Sequence, residues 1–305
     1  MFYLNTSFSF NLFHTLNVIE SKETHIVPQL TTPIRLQEYG VGIFNRALTK
    51  SALKKVLKKQ YITVDGAIAT TATFIKGGEM IQLAVPELKS PGEKLVFPLK
   101  VLFEDEYLAV IYKPAGILVS GVGFKTIAKA LPQNLKPSNL SDAAVPQPVH
   151  RLDYATTGLL LVGKTSSSIR DLNRMFADKA IKKVYYAITI GEMNVNGKIT
   201  EPIDGKPSLT KYAVKDTVPS KRFSKLNLVQ LKPKTGRRHQ LRKHLSGIGN
   251  PILGDRDYGI ENLILKGKGL YLHAYSLKFT HPFTNENIYI TTEFPQRFKK
   301  IFEQL

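Results

Sequence analysis

The sequence predicts an α+β protein, with a mixed, mainly antiparallel sheet flanked by helices in residues 91–305 and a small α/β module in residues 34–90. A length of 305 residues suggests two domains. The composition, with 43% hydrophobic and 22% charged residues, is typical of a folded chain. After a Pro-Gly linker at residues 90–93, segments with strand character outnumber helical ones.

The composition also limits the classes of function. A formal net charge of +19 favours a polyanionic partner, nucleic acid above all. The chain has no cysteine, which excludes disulfides, zinc ribbons, iron–sulfur clusters and thiol catalysis. His239 and His244 are five residues apart, off the one-turn spacing that chelates a metal. We therefore expect neither a structural nor a catalytic metal.

Residues 1–33 are expected to form an N-terminal extension. The first 20 residues contain five phenylalanines or tyrosines but no lysine or arginine, so they lack the basic start of a signal peptide. No apolar run approaches the length of a transmembrane helix. The sequence thus predicts a cytoplasmic protein without a membrane segment, whose aromatic N-terminal arm packs on the body.

The module at residues 34–90 begins with a lysine-rich helix. Residues 48–59 place apolar residues on one helical face and a ridge of lysines on another, with Thr49 as a suitable N-cap. The ridge consists of Lys50, Lys54 and Lys58. A strand at residues 61–66 ends in an Asp-Gly turn, and a Gly-Gly turn at 76–79 precedes another strand at 80–83. On charge alone, a solvated face explains the lysines equally well.

This order of elements resembles the small RNA-binding module named after ribosomal protein S-four. The resemblance covers about 50 residues, and Arg35-Leu36 falls where that module usually opens with Arg-Leu-Asp. Gln37 replaces the acid. The resemblance implies that the lysine ridge contacts RNA.

The remainder of the chain is strand-rich. The predicted strands are residues 107–112, 158–162, 184–190, 226–231, 270–279 and 288–292. Helices are predicted at residues 168–179 and 238–246. Residues 132–148 contain four prolines and are predicted to lack regular structure.

Residues 158–165 match the P-loop pattern letter for letter, but the match is misleading. The four inner residues are Leu-Leu-Leu-Val, which favour a buried strand over a phosphate cradle, and a polar loop precedes them. We interpret the segment as a strand that follows a loop presenting Asp153 at the edge of a cleft. Thr156 and Thr157 would pin this loop through side-chain hydrogen bonds to the backbone. The alternative is that Asp153 only caps the turn.

Residues 221–245 contain nine lysines or arginines and no acid. If Arg238 begins a helix, Arg238 and Arg242 share one face. Such a cluster can bind RNA phosphates without sequence preference. Alternatively, a buried arginine facing Asp153 would favour the charged form of that carboxylate.

Taken together, these segments closely resemble the RluA-type pseudouridine synthases, over about residues 95–295. The matching blocks are His-Arg-Leu-Asp-x-x-Thr-Thr-Gly-Leu-Leu-Leu at 150–161, Lys-x-Tyr-x-Ala at 183–187, Gly-Arg-x-His-Gln-Leu-Arg at 236–242, Gly-Asp at 254–255 and Tyr-Gly at 258–259. Lys-Pro-Ala-Gly at 113–116 and Leu-His-Ala at 272–274 stand in the same order. Thr157 replaces the usual serine and Arg238 the usual threonine, and neither change removes a group that the chemistry needs.

The resemblance implies isomerisation of uridine to pseudouridine within RNA, without a cofactor. Asp153 would be the essential carboxylate, acting as nucleophile at the anomeric carbon or as base at the sugar's 2′ position. Tyr185 would stack on the uracil and help remove the proton from carbon five. Without the motif, a tyrosine that only packs in the core of a strand explains Tyr185 equally well. Arg242 would pair with Asp153, and Arg151 would fill the gap left by the extruded base. Further RNA contacts would come from His150, Arg237, Arg238, His239 and Lys243.

The sequence leaves the target RNA open. The RNA-binding module favours large-subunit ribosomal RNA, whereas the sequence Lys-Thr-Gly-Arg-Arg-His-Gln-Leu-Arg at residues 234–242 resembles that of a subgroup that modifies tRNA. We expect ribosomal RNA as the substrate and a monomer as the active form. A non-catalytic RNA-binding or ribosome-assembly factor is the alternative from another class, but such a factor would have lost Asp153 or Arg242.

Overall fold

A computed structural model of the chain describes residues 19–87, 95–123, 125–265 and 267–305. The chain divides into two compact units, Met1–Lys94 and Leu95–Leu305. Most of the predicted aromatic arm, residues 1–18, and the predicted linker at 90–93 lie outside the described residues. Within the described ranges, no helix is both long and apolar enough to cross a membrane.

Unit 1 is a small α/β body. Its elements are β1 Ile19–Ile26, β2 Ile34–Arg35, α1 Leu36–Tyr39, α2 Lys50–Lys58, β3 Ile62–Val64, β4 Ala67–Ile68, β5 Phe74–Ile75 and β6 Met80–Glu87. One sheet has the order β1-β6-β3-β4, and β2 pairs with β5. Because β1 pairs with β6 along eight residues, the sheet begins before residue 34, where the sequence places the start of the module.

The local predictions for unit 1 match its structure. The Thr49 hydroxyl accepts a hydrogen bond from the Ala52 amide at 3.2 Å and so caps α2. Leu53 and Leu57 are buried on one face of that helix. Asp65 and Gly66 both have positive φ angles, 48° and 83°, as a tight hairpin turn requires.

Unit 2 is built around one large sheet. Its elements are β7 Val101–Glu104, β8 Leu108–Lys113, α3 Ile127–Asn134, β9 Ala143–Pro148, β10 Thr157–Thr165, α4 Ser166–Ala177, β11 Lys182–Ile190, β12 Asn196–Ile199, β13 Thr210–Ser220, β14 Ser224–Pro233, α5 Gln240–Gly247, a 3-10 turn Glu261–Leu263, β15 Leu272–Thr280, β16 Asn287–Thr291 and α6 Gln296–Lys299. The strand order is β12-β13-β14-β11-β15-β10-β8-β7, with β9 paired to β10 and β16 to β15.

The sheet is mixed and mainly antiparallel, which confirms the predicted α+β class. The parallel pair is β10 with β15, where Gly158 lies opposite Ala274. Gly158 has a φ of 117°, and a Cβ atom there would lie 2.2 Å from the Ala274 carbonyl oxygen. Only glycine therefore allows these two strands to approach, and their contact places the loop before β10 at the centre of the sheet.

The proline-rich segment differs from the prediction. Pro132 lies inside α3, whose cap is the Thr126 hydroxyl, and the segment also contains β9. The Asn134 side chain donates to the carbonyls of Ala130 and Phe97 at 2.8 Å each, which fixes the last turn of the helix. β9 pairs with β10 and lies off the main path of the sheet. Proline is tolerated in such a strand because its missing N–H does not interrupt a central ladder of hydrogen bonds.

Candidate active site

A cleft of about 900 Å³ opens in unit 2 beside the loop that precedes β10. Asp153, Tyr185 and Arg242 all line it, together with Arg151, Arg237, Arg238 and His239. The walls come from the loop before β10, the first residues of β11, the end of β14 and the start of α5. Residues that are far apart in the chain thus meet at one basic depression.

The Asp153 loop is held by its backbone. The buried ammonium group of Lys113 donates hydrogen bonds to the carbonyls of Pro114, Tyr154 and Thr156 at 3.0, 3.2 and 2.9 Å. The Thr156 amide donates to the Asp153 carbonyl at 3.0 Å. Burial lowers the pKa of Lys113 to about 8, although the negative charge of Asp153 acts in the opposite direction. The loop is therefore rigidly attached to the end of β8.

The two threonines of this loop do not act as predicted. The Thr156 hydroxyl is buried and has no hydrogen-bond partner among the described residues. The Thr157 hydroxyl pairs with Nδ1 of His273 at 2.9 Å instead of pinning the turn. The lysine supplies the hydrogen bonds that the prediction assigned to the threonines.

Arg242 lies near Asp153 but is bonded elsewhere. Its Nη1 atom is 3.9 Å from an Asp153 oxygen, whereas Nε and Nη2 donate to both oxygens of Asp255 at 2.7 Å. Nη2 also contacts Asp257 at 2.6 Å, and the guanidinium lies over the Tyr258 ring. Burial opposes the charge of Arg242, but its hydrogen bonds to the two aspartates outweigh burial and raise its pKa.

His239 occupies a strained backbone position at the N-terminus of α5. Its φ is 53°, in the left-handed region, so Arg238 precedes the helix and does not share a face with Arg242 as predicted. Its Nδ1 atom is 2.9 Å from the Tyr258 hydroxyl, and Nε2 is 3.9 Å from Asp153. Burial lowers the pKa of His239, so its ring is mainly neutral near pH 7.

Tyr185 lies on β11 and contacts two hydrophobic core clusters of unit 2. Burial, followed by the negative charge of Asp153, raises the pKa of its phenol. The hydroxyl therefore stays protonated at neutral pH, and the ring forms part of the cleft wall.

Three predicted RNA contacts, His150, Lys243 and Lys50, form hydrogen bonds or ion pairs within the protein, and His150 also lines the cleft. His150 accepts a hydrogen bond from the Leu161 amide at 2.9 Å, and burial lowers its pKa to about 3, so the ring is neutral and fixes the start of the Asp153 loop. Lys243 pairs with Asp204 at 2.8 Å and does not line the cleft. In unit 1, Lys54 and Lys58 are exposed, whereas Lys50 pairs with Glu38 at 2.6 Å.

Sequence reasoning missed several residues of the site. Lys113 and Asp255 fell within the matching blocks but received no role, and Asp257 was not singled out. Lys183 lines the cleft two residues before Tyr185, with its ammonium 5.5 Å from the Phe176 ring centre. Burial lowers its pKa. Its place in the Lys-x-Tyr block, on the same strand as Tyr185, was the available signal.

In the described residues, no three histidine, aspartate or glutamate side chains are grouped as metal ligands. The donors around Asp153 are instead cationic or neutral nitrogen groups, which suit an anionic substrate.

Comparisons with known proteins give a family match and several relatives. Residues 107–247 match the family model described as RNA pseudouridylate synthase. The chain is 36% identical over 297 residues to ribosomal large subunit pseudouridine synthase C of Pasteurella multocida, covering 85% of this chain and 87% of that protein. It is 33% identical over 264 residues to ribosomal large subunit pseudouridine synthase D of Nitrosomonas europaea, covering 78% and 75%.

Among solved structures, human RNA pseudouridylate synthase domain containing 4 matches with a TM-score of 0.55 and 27% identity, over 68% of this chain and 92% of that one. The family match and the relatives thus define an RNA-modifying enzyme, and its fold is of the α+β class. The chain belongs to the RNA pseudouridine synthase family and is an isomerase.

Proposed function

We propose that this chain isomerises uridine to pseudouridine in large-subunit ribosomal RNA, with Asp153 as the catalytic carboxylate. The observation that carries the proposal is the position of Asp153, 3.9 Å from both His239 and Arg242 on the wall of a basic cleft. The names of the C and D relatives support ribosomal RNA as the target. We further propose that the protein acts as a cytoplasmic monomer without a metal or cofactor.

The reaction is an internal transfer that needs no oxidant or energy source. The bond between N1 of uracil and C1′ of ribose breaks, the uracil rotates, and C5 bonds to C1′. The proton on C5 leaves and N1 gains one, so atoms and charge balance. Asp153 acts either as nucleophile at C1′ or as base at the 2′ position, and both roles require the carboxylate form.

The roles that we propose for the other cleft residues are those that the family resemblance implies. Tyr185 stacks on the extruded uracil, and Arg151, which is exposed, fills the gap in the RNA stack. Arg237 and Arg238 are exposed at the cleft and bind phosphates. Extrusion costs a few kcal/mol, least in a loop, and phosphate contacts offset it.

Unit 1 would supply a second RNA contact. We propose that residues 34–90 form an RNA-binding module of the ribosomal protein S-four type, whose ridge of exposed lysines on α2 holds the RNA while the cleft acts. Such tethering raises the effective concentration of substrate without reading bases. The variant Lys54→Ala/Lys58→Ala should weaken RNA binding and keep kcat. The control Lys100→Ala/Lys136→Ala, at exposed positions of unit 2, should leave both RNA binding and kcat unchanged.

The test is a map of pseudouridine in total RNA from cells without the gene, rescued by wild type or variants. Wild type and Asp171→Ala, at a carboxylate outside the cleft, should restore the same ribosomal RNA sites, and Asp153→Ala should restore none while still binding RNA. Restored sites in tRNA would move the substrate to tRNA. If Asp153→Ala restores the same pseudouridine sites as wild type, Asp153 is not a catalytic residue. If cells with and without the gene give the same map, the protein is a binding factor rather than an enzyme.

A further inference from the structure

Three lysines lie side by side across the large sheet. Lys198 on β12 is directly opposite Lys211 on β13, which is directly opposite Lys232 on β14. Directly opposed residues of antiparallel strands point to the same face, with Cβ atoms about 5 Å apart. All three side chains are exposed.

A second row extends the same surface. Lys182 on β11 is opposite Lys278 on β15, and Lys278 is opposite Tyr289 on β16. Tyr289 is 63% exposed. Lys182, Lys232, Lys278 and Tyr289 line the cleft that contains Asp153. We call the five lysines of the two rows the lysine ladder: Lys182, Lys198, Lys211, Lys232 and Lys278.

This arrangement is unfavourable for the folded protein by itself. Like charges directly opposite on neighbouring strands repel and destabilise a sheet. In the parts of the chain that the structure describes, no ladder lysine forms an ion pair. Other lysines, such as Lys225 with Glu192 at 2.8 Å, are neutralised.

Protection of a sheet edge does not explain the ladder. Lysines on edge strands discourage pairing with other chains, and Lys198 lies on the edge strand β12. Lys211 and Lys232, however, lie on β13 and β14, which have strand partners on both sides. A bound polyanion would relieve the repulsion across the whole row.

We propose that the lysine ladder binds the phosphates of the RNA segment that flanks the target uridine and guides that segment into the cleft. Neighbouring strands are about 4.8 Å apart, so Lys198 to Lys232 form a track about 10 Å long that ends at the cleft. Tyr289 offers a stacking surface for a base of the same segment. The inference rests on the proposed function, because it assigns the path of that substrate.

The first test compares two triple variants with equal loss of charge. Lys198→Ala/Lys211→Ala/Lys232→Ala removes one row, and Lys100→Ala/Lys136→Ala/Lys300→Ala removes exposed lysines that do not line the cleft. Binding of in vitro transcribed large-subunit ribosomal RNA is measured against salt concentration. The ladder variant should bind at least tenfold more weakly, with a salt slope reduced by about 2, since each phosphate contact contributes about 0.7 to 0.9. The control should bind within twofold of wild type.

Stability separates a lost contact from a damaged fold. Because the ladder lysines repel one another, the ladder variant should melt at the same temperature as wild type or above it. The charge-matched control, whose three lysines do not line the cleft, should keep the kcat of wild type. Equal affinity and equal salt slopes for the ladder variant, the control and wild type would overturn the inference.

A second test uses the absence of cysteine from the chain. Lys211→Cys and Lys136→Cys each carry one thiol, to which a photo-crosslinker is attached, and the crosslinked RNA is sequenced. Position 211 should crosslink within a few nucleotides of the isomerised uridine, and position 136 should give background only. Equal crosslinking patterns from positions 211 and 136 would contradict the proposed path of the RNA along the lysine ladder. Pseudouridine formed by the unlabelled wild type in the same RNA reports separately on the proposed function.

Discussion

Arg242 is bonded through two nitrogen atoms to Asp255, at 2.7 Å each, and approaches Asp153 only to 3.9 Å. Asp255 is almost wholly buried and also accepts hydrogen bonds from the amides of Asp257 and Tyr258. The guanidinium is thus oriented by Asp255, which leaves Nη1 directed at Asp153. Asp255 is a positioning residue for the candidate active site.

Replacing Asp255 by alanine should damage both stability and turnover. The buried guanidinium would lose its two-point partner, which costs about 3–5 kcal/mol. Denaturant unfolding and single-turnover pseudouridine formation measure the two effects. The matched control is Asp257→Ala, whose exposed carboxylate contributes at most about 1 kcal/mol. Equal effects of the two variants would contradict the role of Asp255.

Tyr185→Phe should separate stacking from proton transfer. The phenylalanine ring keeps the stacking surface, so RNA affinity should change by less than twofold. Because the phenol is protonated at neutral pH, it must pass its own proton on before it can take the C5 proton. Loss of the hydroxyl removes this relay, so we expect kcat to fall by about 100-fold or more. Filter binding and single-turnover kinetics measure the two quantities. An unchanged kcat would restrict Tyr185 to stacking, and Tyr185→Ala, which removes the ring, should lower the affinity as well.

Buried Lys113 and half-buried Lys183 should respond oppositely to replacement by methionine. Lys113→Met removes the donor for three carbonyls, at Pro114, Tyr154 and Thr156, and should lower the free energy of unfolding by several kcal/mol, since each unsatisfied buried acceptor costs about 1–3 kcal/mol.

Lys183→Met should keep or raise the free energy of unfolding, because burial penalises the charge of Lys183. The same variant should weaken RNA binding, because Lys183 lines the cleft. Urea unfolding and binding titrations compare them. A Lys183→Met protein that binds RNA normally would exclude Lys183 from the RNA contact.

Acid should destabilise the protein through His150. Its folded pKa is about 3, against 6.5 for the unfolded chain, so the unfolded state binds more protons between these values. The free energy of unfolding therefore falls as the pH drops from 6.5 toward 3, by up to about 1.4 kcal/mol per pH unit from this group. His273, with a pKa of about 4, contributes in the same direction.

His150→Gln tests this dependence. Glutamine offers an oxygen to the Leu161 amide but does not titrate, so the variant should lose less stability on acidification. Chemical denaturation at pH 7, 6, 5 and 4 gives the two curves. Parallel curves for wild type and variant would show that His150 does not carry the effect.

Local patterns were read correctly where the physical cause is local. The Thr49 cap, the Asp-Gly turn and the buried strand in place of a P-loop all depend on neighbouring residues. The four prolines of residues 132–148 wrongly predicted a segment without regular structure. The Thr126 side chain, which lies before this segment, caps α3, and the Asn134 side chain bonds to the last turn of the helix.

The sequence by itself determined the enzyme family, the α+β class and the candidate carboxylate Asp153, because these depend on short ordered blocks and on strand periodicity. Only the tertiary structure decided that Asp255 holds Arg242, that Lys113 holds the Asp153 loop, and that lysines from β12, β13 and β14 form one row. Those contacts join residues distant in the chain, and strand register and burial determine them. Neither register nor burial can be read from the spacing of residues along a single segment.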